Sequence, residues 1–210
     1  MIPFDREVFL TILGQYNELI WPAQTAAYAL GAMLIYGLLR PGPGSGRTIA
    51  TILAVFWIWT GLAFHWSQYS VINFAAPAFA ALFVAEGFLI AWSGVLRGHL
   101  QFQFQRSLRG WCGLAIIGLA ALLYPVLGLF TDMAWPKSPA FGLSPEPVAL
   151  LTLGAFLNGR RRAAMIHRAA AILWLAAAAG ASWLLTLPDG LPLIAAAIIG
   201  GAMALVPSET

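Results

Sequence analysis

Charge is what this sequence has least of. Only 9% of its 210 residues are charged, 60% are apolar, and the mean hydropathy is +0.81. A soluble domain carries about 25% charged residues because its surface must be solvated, so the shortfall points to a fold whose outside faces hydrocarbon. Lysine is nearly missing. Lys137 is the only one and stands in a loop, so no late span can form a retinal-type Schiff base. The single cysteine, Cys112, rules out an intrachain disulfide and a cysteine metal cluster. At the start of an apolar run it reads as a small buried side chain. There is no Gly-rich phosphate loop, no His-Glu-x-x-His and no Gly-x-Ser-x-Gly. The opening residues carry Asp5, Arg6 and Glu7 and do not have the basic start of a cleavable signal peptide. The basic balance, +3 with pI near 9.4, comes from arginines flanking apolar runs. They read as topology signals and lipid contacts, not as a nucleic-acid surface.

What is present is a series of long apolar runs. They predict an all-α, polytopic transmembrane helix bundle in one integral membrane domain over residues 1–210. An amphipathic interfacial helix is expected at 4–17, with Phe4, Val8, Phe9, Ile12, Leu13 and Tyr16 on one stripe. Spans follow at about 19–39, 47–66, 74–96, 111–130, 145–159, 169–185 and 191–206. The fifth is short: 15 residues at about 1.5 Å each reach about 22 Å, less than a hydrocarbon core of about 30 Å. Ser144 is its expected cap, and Asn158-Gly159 its end.

Charge decides whether that span counts. With seven spans, one side receives Arg40, Arg47, Arg97, Arg106, Arg109, Arg160, Arg161, Arg162 and Arg168, and the other only Arg6 and Lys137. By the positive-inside rule the amino end is outside and the carboxyl end inside. The expected location is the bacterial cytoplasmic (inner) membrane, as a multi-pass protein. Arg160, Arg161 and Arg162 are expected at lipid headgroups. Between His99 and Gln105, Leu100, Phe102 and Phe104 alternate with glutamines, as in a strand-like segment resting apolar side down. Ala196, Gly200 and Ala204 repeat every four residues and are expected to face Ala176–Gly180 of the preceding span.

Glu86 is the most informative side chain, because it lies mid-span among apolar neighbours. A carboxylate there costs about 3 kcal/mol on insertion scales. It therefore faces the interior, is protonated, or has a partner. The functional reading is a proton or cation site; the ordinary reading is a neutral acid bonded to a neighbouring helix. Ser93 and Arg97 fall roughly on its face. His65, near the outer end of its span with Tyr69 one turn beyond, is either a titrating group or an aromatic-belt residue beside Trp57, Trp59 and Trp66. Glu86, His65, Tyr69 and Asn73 form the candidate intramembrane proton, ion or solute site. Glu18, Trp21, Gln24, Tyr124 and Asp132 form a candidate outer vestibule. His99 and His167 are expected in inner loops. No catalytic or metal-binding set is assigned, and no cofactor is identified.

Several segments together carry a resemblance. Tyr16-Asn17-Glu18, Trp21-Pro22-Ala23-Gln24, Trp59-x-Gly61-x-Ala63-x-His65-Trp66, Ile72-Asn73, Tyr124-Pro125 and Phe141-Gly142-Leu143 resemble a bacterial family of uncharacterised multi-spanning membrane proteins, a domain of unknown function. Where that family tends toward Pro-Cys-Pro-Thr, this chain has Ser144-Pro145-Glu146-Pro147, so any role of that cysteine is absent. The resemblance supplies no activity, but it adds weight to Trp21, Gln24, His65, Asn73 and Tyr124.

Two functional classes follow. The first is a small-solute or ion permease, or a sensor of such a solute, which a short interrupted span favours. The second is an accessory or structural subunit of a larger membrane complex. A membrane-embedded enzyme has less behind it, because no nucleophile and base stand at a recognisable spacing. Expected partners are membrane lipids and a homo-oligomer or larger complex, with no nucleic acid. Reporter fusions after Pro43, Gly98 and Arg162 should read cytoplasmic, and fusions after Ser70 and Ser138 external. An external signal after Arg162 removes the fifth span.

Overall fold

The computed structural model describes residues 3–159 and 161–205. Among them it is helical, apart from turns and one isolated antiparallel bridge between Phe102 and Gly159. The helices are α1 (Arg6–Leu19), α2 (Ala23–Leu39), α3 (Ser45–Trp59), α4 (Ala76–Ile90), α5 (Leu108–Leu127), α6 (Pro145–Leu157), α7 (Arg161–Leu184) and α8 (Gly190–Leu205). α3 runs on as π-helix over Thr60–Trp66, and α4 does so over Ala91–Leu96.

Four stretches are long and apolar enough to cross a membrane: Ser45–Val71, Ala76–Leu96, Leu108–Leu127 and Met165–Leu184. α1 and α2, bent by 84° at their junction, make a fifth if taken together. α6 and α8 are apolar but shorter, so length and composition alone stop below seven spans. For α6 the reason is position. Every residue of Pro145–Leu157 except Glu146 is buried, with α5, α7 and α8 packed around it and α3 touching it. A helix surrounded by protein has no need to match the thickness of a bilayer.

Both ends of α6 are tied down. Ser144 stands at the N-cap, but its hydroxyl accepts the Ala140 N–H at 2.9 Å, not an N–H of α6. Pro147, three residues on, has no N–H to offer. At the other end Arg109 donates to the Gly159 carbonyl at 3.0 Å, and the Gln103 N–H to the Asn158 carbonyl at 3.0 Å. The alternating segment is therefore a cover over this end, with Leu100 and Phe102 buried and Gln101 and Gln103 exposed.

α5 and α6 cross at two glycines. A Cβ on Gly154 would stand 2.6 Å from the Gly113 carbonyl oxygen and 3.0 Å from the Ile117 nitrogen, both backbone atoms. α7 and α8 pack together, as the small-residue stripe predicts, but Gly200 of that stripe meets α6: a Cβ there would stand 2.8 Å from Leu153 Cδ1, whereas Gly180 has open space. Periodicity identifies the close-packing face of a helix but not the neighbour it meets. Arg160, and the side chains of Arg161, Arg162 and Ala204 of that stripe, lie outside what the structure describes.

α1 presents a face to protein. Leu10, Leu13, Tyr16 and Asn17 are buried, while Val8 of the expected stripe is 39% exposed. Tyr16 donates to the Leu143 carbonyl at 2.7 Å and accepts from Trp59 Nε1 at 3.0 Å. Asn17 donates to the carbonyls of Pro136 and Ser138 at 2.6 and 2.7 Å.

The glycine contrast is testable. Gly154→Ala should cost about 1–3 kcal/mol through overpacking, whereas Gly180→Ala should be neutral or stabilising by up to about 1 kcal/mol from helix propensity. Melting temperatures in detergent would decide it, and equal shifts would contradict the α5–α6 crossing.

Candidate functional site

Glu86 has a partner. It is buried on α4, and its Oε1 lies 2.6 Å from Nδ1 of His167, which is also buried. His167 is not in a loop, as its neighbourhood of arginines suggested. Arginine favours helix, so α7 begins just after Asn158-Gly159 and carries His167 into the bundle. Its ring stacks on Phe156 of α6 at 4.9 Å, and its Nε2 lies 3.2 Å from Ser93 Oγ. Arg97, expected on the same face, instead stands over the Trp92 ring at 4.9 Å. The π-helical turns of Ala91–Leu96 widen the spacing and take Arg97 out of register.

The hydrogen bonds fix a proton count. Ser93 Oγ lies 2.7 Å from the Leu89 carbonyl, which can only accept, so the hydroxyl proton is used there. With the hydroxyl proton so placed, His167 Nε2 is the donor to Ser93, one of the two arrangements that the ring's tautomers allow. In that arrangement one proton lies between Glu86 and Nδ1, and either neutral acid meets neutral imidazole or carboxylate meets imidazolium. The pair is neutral overall in both forms. Serine, histidine and glutamate stand in sequence here, but the serine proton points away from the imidazole. That is the wrong direction for a nucleophile activated by a base.

A second feature lies along the same α4–α7 seam. His65, in the π-helical end of α3, is fully buried, with ring centroids of Phe83, Trp174, Phe64, Phe79 and Tyr69 between 4.7 and 5.9 Å away. Among the described residues neither of its nitrogens has a hydrogen-bond partner, and the same holds for Trp174 Nε1 and Asp189 Oδ1. These groups border a cavity of about 100 Å³, completed by Glu146, Ser182 and Phe9 of α1. Asp189, in the turn between α7 and α8, accepts from the Tyr124 hydroxyl at 2.9 Å. Burial raises its carboxyl above the usual range, offset in part by the neighbouring Ser182 and Tyr124 hydroxyls.

The family model for a family of unknown function (DUF6064) matches residues 6–209. The chain belongs to that family. No curated protein and no solved structure matches it. The family match spans both the Glu86–His167 pair and the His65 cavity, and it brings no activity to either.

The sequence-predicted site residues divide. His65 and Tyr69 border the cavity, while Glu86 pairs with His167 instead. Asn73 accepts the Ala75 N–H at 3.0 Å and turns the chain into α4. The belt reading of His65 and Trp57 is overturned, since both are buried and Trp57 donates to Thr152 at 2.8 Å. Of the vestibule, Trp21, Gln24 and Tyr124 line one apolar groove, with the Trp21 and Trp135 rings 6.0 Å apart. Glu18 is exposed at the end of α1, and Asp132 pairs with Arg6 at the surface. His167, Trp174 and Asp189 were missed. The seven-residue spacing of His167 and Trp174 is the signal that could have paired them on one face.

Replacing Glu86 separates its roles. Glu86→Ala leaves the buried imidazole without its partner and should cost about 3 kcal/mol. Glu86→Gln keeps a donor opposite Nδ1 and should unfold within about 1 kcal/mol of the parent. Thermal unfolding in detergent compares them, and two equal losses would contradict the shared-proton arrangement.

Proposed function

We propose that this protein is a seven-span membrane protein, amino end outside, that passes or senses a small solute or ion by means of the proton held between Glu86 and His167. The observation that carries this is the 2.6 Å contact of two buried ionisable groups from two helices long enough to cross a membrane. Ionisable residues at such depth are costly, and they recur along ion and proton pathways. In this reading α2 to α8 are the spans, α1 lies at the outer face, and the arginine-rich loops are cytoplasmic, in keeping with the basic asymmetry of the sequence.

The proton count supplies a mechanism. When the pair gives up its proton, a carboxylate would face the bare lone pair of Nδ1. Repulsion is relieved if the remaining imidazole proton moves to Nδ1 and the Ser93 hydroxyl turns from the Leu89 carbonyl to Nε2. Proton release is then coupled to a rearrangement across α4 and α7, the element a permease or a sensor needs.

Proteoliposomes carrying a trapped pH dye test it. The parent should dissipate an imposed proton gradient, in the presence or absence of an added solute, and Glu86→Gln should abolish the flux. Equal flux from parent and variant would remove the proposal. If the parent itself is silent and a stoichiometric partner copurifies in mild detergent, the protein is an accessory subunit instead.

A further inference from the structure

We propose that the cavity beside His65 is a binding site for a small organic cation, of the size and type of a methylated ammonium ion. The walls supply the first argument. Phe64, Tyr69, Phe79 and Trp174 border the space, and aromatic faces attract a cation when water is excluded.

The charge of the lining supplies the second. Two carboxyl groups, Glu146 and Asp189, border the cavity, and among the described residues no lysine or arginine does so. A cation is the ligand that would draw either acid into its charged form, whereas an anion would find no cationic side chain among the lining residues. A bare divalent metal such as Ca²⁺ takes about six to eight oxygen ligands, and this mostly aromatic and aliphatic lining does not provide them.

The third argument comes from groups with no protein partner. His65 is fully buried and Asp189 is 2% exposed; both residues line this space, and each carries a polar atom without a hydrogen-bond partner among the described residues. A neutral imidazole has one lone pair, and with Asp189 Oδ1 it offers two acceptors for an ammonium N–H. Buried acceptors left unused cost about 1–3 kcal/mol each, so a ligand that engages them recovers that loss. At about 100 Å³ the cavity holds roughly three waters at about 30 Å³ each, or a nitrogen carrying one to three methyl groups. Phe9, from α1, and Tyr69 border it, their rings 6.0 Å apart.

The test is a ligand series on the unaltered protein in detergent, read by isothermal titration and by thermal shift. Trimethylammonium chloride is compared with tert-butanol, which is similar in shape but neutral, and with sodium chloride at equal ionic strength. Trimethylammonium should bind at least about tenfold more tightly than tert-butanol, as a desolvated cation–π site requires. Trp174→Phe should keep most of that binding and Trp174→Leu should lose about tenfold. Equal affinity for tert-butanol would make the cavity a merely apolar pocket and overturn the proposal. Binding of neither, or a shift that sodium chloride reproduces, would overturn it as well. Cation binding and proton flux are separate readouts, so this site can fail while the Glu86–His167 reading stands, and the reverse.

Discussion

A helix enclosed on every side must have each of its polar groups answered by protein, and the arrangement around α6 follows from that constraint. Most of its length is closed to water, and a buried backbone group without a partner is expensive. The Gly159 carbonyl is therefore met by Arg109, Asn158 by Gln103, and Thr152 by the Trp57 indole. The same enclosure forces close approach, which is why Gly113 and Gly154 meet without side chains between them. It also brings Phe156 beneath the His167 ring. The candidate proton site thus rests on the most enclosed element of the fold.

Much of this was legible in the sequence, for identifiable reasons. The scarcity of charge and the long apolar runs predicted helices of membrane-crossing length, and several are present. The alternation from His99 to Gln105 predicted a segment with one buried face, and Leu100 and Phe102 provide it. The mid-span carboxyl of Glu86 predicted a partner or an interior position, and it has both. What stayed hidden was which elements meet. A stripe of small residues does not name its neighbour, so Gly200 was assigned to α7 when it meets Leu153 of α6. A run of arginines looks like a loop, so the start of α7 was set too late and His167 was lost from the bundle. Two π-helical segments, which have no composition signal, shifted the register of His65 and Arg97.

The two candidate sites share a seam. Phe79, Phe83 and Glu86 lie along α4, and His167 and Trp174 along α7, with Phe83 and Trp174 in edge contact at 4.7 Å between the pair and the cavity. Phe83 and Trp174 are thus the packed rings through which a change of position at one end of that seam would have to pass to reach the other. Interiors this dense shift between discrete arrangements and do not deform smoothly.

The docking of α1 has a further consequence for how freely the sequence can drift. Tyr16 and Asn17 bond to the backbone carbonyls of Leu143, Pro136 and Ser138, not to their side chains. Those acceptors are present whatever side chains stand at 136, 138 and 143, so these hydrogen bonds ask for particular side chains only on the α1 side of the contact. The polar information in this contact is thereby concentrated in two residues of α1, while Gly142, at φ 70°, and buried Phe141 keep constraints of their own.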